Sequence, residues 1–254
     1  MSAAEPSKSA RQRLDLLLVE RGLTESRERA QALILAGKVK VDGQRADKPG
    51  RATAVNSEIS VEQPLRYVSR GGLKLEAALT QFGVDPRNRV CLDIGTSTGG
   101  FVDCLLQYGA LRVHAVDTGA GQIDWKLRSD PRVVLHERTN ARYVQPADIG
   151  EMVTLITCDV SFISVTLLIP ALAPLLEERG DWIILVKPQF EVGRERVGSG
   201  GIVRDPEAHQ WAQRRDSSAL EAAGFDSSII DSPIAGAEGN REFLLWAQRR
   251  KAAR

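Results

Sequence analysis

Two charged residues end apolar runs, where a charge is costly. Asp159 closes Leu155-Ile-Thr-Cys-Asp159 and is followed by Val-Ser-Phe162; Lys187 closes Trp182-Ile-Ile-Leu-Val-Lys187 and is followed by Pro-Gln-Phe190. If the apolar runs are strands, their carboxyl ends form the edge at which open α/β sheets bind ligands. Burial lowers the pKa of a lysine, and a lysine able to part with its proton near neutral pH is a candidate general base. A lone strand-end lysine emerging into solvent is the plainer reading. Asp159, the turn-fixing Pro188 and the glycine-rich stretch 193–201 favour the chemical one.

A second motif is built to hold a ligand. In Val90-Cys-Leu-Asp93-Ile-Gly95-Thr96-Ser97-Thr98-Gly99-Gly100-Phe101, an apolar run ends in a carboxylate, a glycine-rich turn follows and an apolar helix opens. Glycines let backbone approach a ligand closely. A pyrophosphate loop would read Gly-x-Gly-x-x-Gly over a helix N-terminus, and this one does not. Asp93, placed ahead of the first glycine, suits a cationic ligand, and S-adenosylmethionine carries an ammonium and a sulfonium and no phosphate. The next apolar run ends in Asp117, spaced as for an acid that binds ribose hydroxyls, with Gly119 and Gly121 keeping that loop open. Asn140, after the third run, is a candidate for the adenine edge. The expected cofactor contacts are therefore Asp93, Gly95, Thr96, Ser97, Gly99, Gly100, Phe101, Asp117 and Asn140.

The elements that must position these residues can be read from period and punctuation. Strands are expected at 90–94, 112–117, 133–137, 155–159, 182–186, 227–231 and 242–247, with helices near 72–82, 99–108, 164–178 and 206–223. Such alternation predicts an α/β fold with a doubly wound, mostly parallel sheet of seven strands. The amino-terminal part differs. An apolar helix from Leu14 to Val19 stops at Gly22, a second helix capped by Thr24 stops at Gly37, and Val39 and Val41 lead into the Asp42-Gly43 turn. With Ile59 and Val61 as a further strand, this is a small α+β module. The expected organisation is a disordered segment 1–10, the module at 11–62, a connector at 63–70 and the larger domain at 71–254.

Composition bounds the class. With 254 residues, 43% hydrophobic and 26% charged, the chain is an ordinary globular protein able to bury a core without staples. Residues 1–70 hold 13 Lys/Arg against 9 Asp/Glu, whereas the remainder is slightly acidic. That asymmetry hints at a basic module for a polyanion. Arg13, Arg27, Arg29, Lys38, Lys40 and Arg45 are the candidate contacts to phosphates of folded RNA, an ordinary solvated face being the alternative for some of them. Cys91, Cys104 and Cys158 lie in apolar runs without Cys-x-x-Cys spacing and read as buried thiols. His114, His136 and His209 lack metal-ligand spacing, so no metal is expected. With neither a secretion signal nor a spanning segment, the cytoplasm is expected.

Longer motifs in fixed order make the chain similar to a known family. Arg13-Leu-Asp15 with Ala36-Gly-Lys-Val-Lys-Val-Asp-Gly43, Tyr67-Val-Ser-Arg-Gly-Gly-Leu-Lys-Leu75, Asp93-Ile-Gly-Thr-Ser-Thr-Gly-Gly-Phe101, Asp117-Thr-Gly-Ala-Gly-Gln122, Asp159-Val-Ser-Phe-Ile-Ser164, Lys187-Pro-Gln-Phe-Glu191 and Ser232-Pro-Ile-Ala-Gly-Ala-Glu-Gly-Asn-Arg-Glu-Phe243 span nearly the whole chain. It resembles the TlyA (hemolysin A) family of ribosomal RNA 2′-O-methyltransferases, with an FtsJ-like catalytic domain behind an alpha-L RNA-binding module. The resemblance implies a Rossmann-like class I methyltransferase fold, S-adenosylmethionine as cofactor, and ribosomal RNA or ribosomal subunits as partner. It further implies a tetrad of Lys74, Asp159, Lys187 and Glu242, with Lys187 as base; composition alone could not have joined Lys74 and Glu242 to the other two. Thr98 stands where the broader FtsJ-like loop often has proline. The competing functions are a membrane-active cytolysin, an RNA-binding protein on an inactive methyltransferase fold, and a nicotinamide oxidoreductase.

Overall fold

The structure is a computed structural model that describes residues 10–62, 65–236 and 239–250. The chain divides into two compact units between residues 64 and 65. Apart from Ala10, the segment expected to be disordered lies outside the described residues, as do residues 63 and 64 of the expected connector.

The first unit packs α1 (Leu14–Glu20) on α2 (Arg27–Leu35) against two small sheets. Strands β1 (Arg11–Arg13) and β4 (Ala52–Ala54) pair antiparallel; β2 (Val39–Val41) lies between β3 (Gln44–Ala46) and β5 (Ile59–Val61). Leu14, Leu18, Ala30, Ile34, Val39, Val41 and Ala46 form its core. The β2–β3 hairpin turns at Asp42 and Gly43, both at positive φ (51° and 77°), the geometry for which Asp-Gly is selected. One local expectation fails. Ser26, not Thr24, caps α2, its hydroxyl accepting from Arg29 N at 3.2 Å, because the chain is still turning at Thr24 and the helix starts two residues later.

The second unit is an α/β layer structure. Its seven-stranded sheet runs in the order β11-β12-β10-β9-β6-β7-β8. The strands are β6 (Val90–Ile94), β7 (Arg112–Val116), β8 (Val133–His136), β9 (Val153–Cys158), β10 (Leu176–Val186), β11 (Phe225–Asp231) and β12 (Phe243–Arg249). Neighbouring pairs from β8 to β10 are parallel, and β12 alone runs antiparallel to both its neighbours. The helices are α3 (Gly71–Phe82), α4 (Gly100–Gln107), α5 (Trp125–Arg128), α6 (Pro146–Ile149), α7 (Ile169–Leu172), α8 (Pro188–Glu191) and α9 (Pro206–Ala222). Separate apolar clusters cover the two sheet faces. Trp182, Phe225 and Leu245 belong to one, which includes residues of α7 and α9. Leu155, Ile183 and Leu244 belong to the other, with residues of α3 and α4. Tyr67, from the expected connector, is buried in this second cluster.

The expected helix at 164–178 is instead a 3₁₀ turn at Val165–Leu167, the single turn α7, a second 3₁₀ turn at Ala173–Leu175 and the start of β10. Pro170 and Pro174 explain the fragmentation. Each lacks an N–H and fits only near the start of a helical turn, so each begins a new one.

Candidate active site

Three of the four tetrad positions follow from strand order. β6 and β9 are adjacent, and the connections leave them in opposite directions across the sheet, so a crevice opens beyond their carboxyl ends. Asp159 follows β9 and Lys187 follows β10. The reversed strand β12 brings its beginning to the same edge, with Phe243 opposite Val186, and so sets Glu242 beside Lys187. Lys74 arrives from α3. The preceding glycines matter here: a Cβ at Gly72 would strike the Tyr67 ring and one at Gly100 would strike the Ser69 hydroxyl, so the starts of α3 and α4 approach closely only without them.

Two ion pairs result. Lys187 Nζ lies 2.5 Å from Asp159 Oδ1 and donates to Ser161 Oγ at 3.0 Å. Lys74 is bonded to Glu242, in surroundings that leave these residues only 8% and 3% exposed. Lys74 and Asp159 line a cavity of about 220 Å³ together with Ser69, Arg70, Gly71, Gly95–Thr98, Gly100 and Phe101.

A larger cavity of about 440 Å³ shares Gly95, Ser97 and Asp159 with the first. Ile94, Val116, Ala141, Val160, Ile163 and Leu168 give it an apolar lining, and Asp117, Thr118, Gln122, Thr139 and Asn140 supply polar groups. The Asp117 carboxylate accepts from Ser97 N and Gly119 N, both at 2.7 Å, and is fixed at the rim with lone pairs to spare. Asn140 uses Oδ1 to cap the turn after it, accepting from Arg142 N at 3.1 Å, and keeps its amide hydrogens to donate. Gly95 is at φ +82°, and a Cβ there would come within 2.5 Å of the Asp159 carbonyl. This glycine is required where the β6 loop crosses the chain leaving β9.

Asp93 is held within the protein. Its carboxylate is 0% exposed and lines neither cavity, accepting from Thr157 Oγ1 at 2.6 Å and Thr96 Oγ1 at 3.0 Å. Burial pushes it up to about 7, against the opposing effect of those two hydrogen bonds. Asp93 lies one residue inside β6 and, through Thr96, braces the loop that lines both cavities. Gly99, at φ +95°, also lies off both cavities, its α-carbon covered by Leu127. Thr96, Ser97, Gly100 and Phe101 do line one or both.

The sequence reading missed Ser161, Gln122 and Phe162. Phe162 is 91% exposed, holds φ at +66°, and packs its ring on Phe190 at 5.1 Å. A bulky residue in the left-handed region is a strained arrangement that surrounding structure must impose. The signal available was an aromatic three residues after a charged strand end.

The six basic candidates of the first unit divide. Arg13 and Arg27 both bond the buried carboxylate of Asp15, at 2.8 and 3.0 Å. Asp15 lies well below the usual carboxylate range, chiefly because Arg13 donates to it. Lys38 pairs with Glu62 at 3.0 Å, and Arg45 lies over Gly37 and donates to the Ala36 carbonyl. Arg29 and Lys40 are exposed with no ion pair among the described residues. Of the histidines, His114 bonds His136 and Glu151, and His209 bonds the Val203 carbonyl. All three cysteines are buried and free.

Comparison with known proteins places this geometry. Residues 67–249 match the FtsJ-like methyltransferase family and residues 12–59 match the S4 domain. A putative rRNA methyltransferase, YqxC, of Bacillus subtilis is 52% identical over 93% of this chain and 85% of its own. The 16S/23S rRNA (cytidine-2′-O)-methyltransferase TlyA of Mycobacterium tuberculosis is 45% identical over 93% and 89%. The solved structure of a putative hemolysin from Streptococcus thermophilus superposes with a TM-score of 0.73 at 43% identity, covering 96% of this chain and 90% of that one.

Proposed function

The chain belongs to the FtsJ-like methyltransferase family, in its TlyA-type branch with an S4 domain in front, and from that premise we propose that it transfers a methyl group from S-adenosylmethionine to a ribose 2′-OH of ribosomal RNA. The observation that carries this reading is that Lys74 and Asp159, each ion-paired to another member of the tetrad, line one cavity with the glycine loop. The named relatives supply the substrate class. The S4 domain supplies a module for RNA, with Arg29 and Lys40 as exposed cations and Asp15 orienting Arg13 and Arg27.

The residues present fit the cofactor. The apolar part of the larger cavity suits a purine, Asn140 can donate to its edge, and Asp117 can accept from both hydroxyls of a ribose. Asp159 faces both cavities, which suits a cationic centre held between them. When bound, S-adenosylmethionine supplies a methyl on a positively charged sulfur, which departs as a neutral thioether. The protein's residues do the rest. Lys187 Nζ takes the 2′-OH proton as the oxygen forms its bond to the methyl carbon. Asp159 holds Lys187 in place, and Glu242 holds Lys74 at the same end of the sheet. In-line displacement gains chiefly from such positioning. The exposed Phe162 offers a ring face on which an unstacked base can rest.

Replacing Asp117 with Ala removes charge-assisted acceptors for a ribose, and S-adenosylmethionine affinity should fall about 10- to 100-fold by titration calorimetry. The reading itself is tested by supplying methyl-labelled cofactor and free small subunits, free large subunits or whole ribosomes from a strain lacking this gene. Label is expected in RNA of at least one. Label in none, with cofactor bound, would refute ribosomal RNA as the substrate. The membrane-active alternative finds no spanning helix: among the described residues none is long and apolar enough to cross a bilayer.

A further inference from the structure

Away from both cavities, the segments that carry Asp159 and Lys187 are tied together a second time. Glu191, the last residue of α8, accepts from Val165 N at 2.9 Å and from Ser164 Oγ at 2.5 Å. A single buried carboxylate thus joins the chain five residues beyond Asp159 to the chain four residues beyond Lys187. Asp216 lies on α9, which packs against α8; it is 0% exposed, with neither carboxyl oxygen accepting a hydrogen bond. Arg215 is the cation within reach among the described residues. Its Nη1 lies 3.4 Å from Glu191 Oε2 and donates to the Glu191 carbonyl at 2.5 Å. The 164–167 segment brings hydroxyls and a backbone N–H toward this place, and β10, β11 and β12 share an apolar cluster with α9 through Trp182, Phe225 and Leu245.

Two carboxyls buried where α9 packs on α8, with one cation that reaches only Glu191, cannot both be charged at tolerable cost. A buried carboxyl that accepts from nothing is explained when it is itself the donor. We propose that Asp216 is a protonated acid that donates to Glu191, and that it acts as a positioning residue locking the Asp159 segment to the Lys187 segment. Its consequence for methyl transfer rests on the function proposed above; the proton and the lock do not. Burial first, and the Glu191 charge second, push the Asp216 carboxyl up to about 9 from an ordinary 3.8. Because the folded value is the higher one, the stability this proton contributes is complete below about pH 4 and is lost progressively as pH rises through about 9.

Asp216→Asn keeps a neutral donor and has no proton to lose; Asp216→Leu has no donor. Thermal unfolding of the unaltered protein and of Asp216→Asn, run side by side from about pH 4 to about pH 9, should give a difference in Tm that moves steadily in favour of the Asn variant. A difference that stays constant with pH would overturn the protonated acid. Hydrogen exchange over residues 160–168 reads the lock. At neutral pH the Asn variant should match the unaltered protein while the Leu variant exchanges several-fold faster, and above about pH 9 the unaltered protein should become faster than the Asn variant. Equal exchange in the unaltered protein and the Asn variant on both sides of that pH would overturn the positioning role, even if the Leu variant fails to fold. Neither readout uses a substrate, so an absence of methyl transfer would count against the proposed function alone.

Discussion

Lys187→Ala should abolish methyl transfer while leaving the cofactor bound. General-base removal typically costs about 10²- to 10⁴-fold, and here the loss should fall on kcat, with S-adenosylmethionine affinity changed only a few-fold. The distinction follows from placement. Lys187 bonds Asp159 and Ser161 but does not line the larger cavity, whose polar groups include Asp117 and Asn140. Single-turnover kinetics beside calorimetry would separate the two effects. A variant that kept normal turnover would show that the proton leaves by another route and would remove Lys187 from the role of base.

The largest effect on stability should come from Lys74→Met. Glu242 is 3% exposed and Lys74 is its salt-bridge partner among the described residues, so the substitution strands a carboxylate out of water. Breaking a buried pair in this way costs about 3–5 kcal/mol, which in a unit of this size lowers Tm by roughly 6–20 °C. The double replacement Lys74→Met with Glu242→Leu removes the stranded charge and should recover most of that stability, since well-packed apolar residues replace buried ion pairs at little cost. It should nevertheless remain inactive. Recovery of activity along with stability would mean that the pair only supports the fold.

Much of this arrangement is legible in the sequence because strand ends leave local marks. The apolar runs ending in Asp159 and Lys187 and the loop after Ile94 are each short, contiguous patterns, and each of the seven strands overlaps an expected one, although β10 starts at Leu176, well before the expected 182. Glu242 is different. It joins the site only because β12 is inserted antiparallel between β10 and β11, and no local pattern encodes that reversal, so a family resemblance was needed to find it. The burial of Asp93 and its bonds to Thr96 and Thr157 left no local mark, because the acid-then-glycine pattern does not say what surrounds the carboxylate. Asp216 was invisible for the same kind of reason. It sits in the polar run Arg214-Arg-Asp-Ser-Ser218, and its burial is decided by the packing of α9 on α8. Proline did leave a local mark at 170 and 174, and weighing it would have broken the expected helix at 164–178.

The central claim is that a ribose hydroxyl of ribosomal RNA is methylated. A 2′-O-methyl group removes the nucleophile through which alkali cleaves the adjacent phosphodiester, whereas methylation of a base leaves that hydroxyl in place. Ribosomal RNA labelled by the purified protein should therefore be hydrolysed in alkali and its fragments sized. Label recovered in alkali-resistant dinucleotides, and absent when Lys187→Ala replaces the unaltered protein, is the result predicted. Label released in mononucleotides would place the methyl group on a base and contradict it.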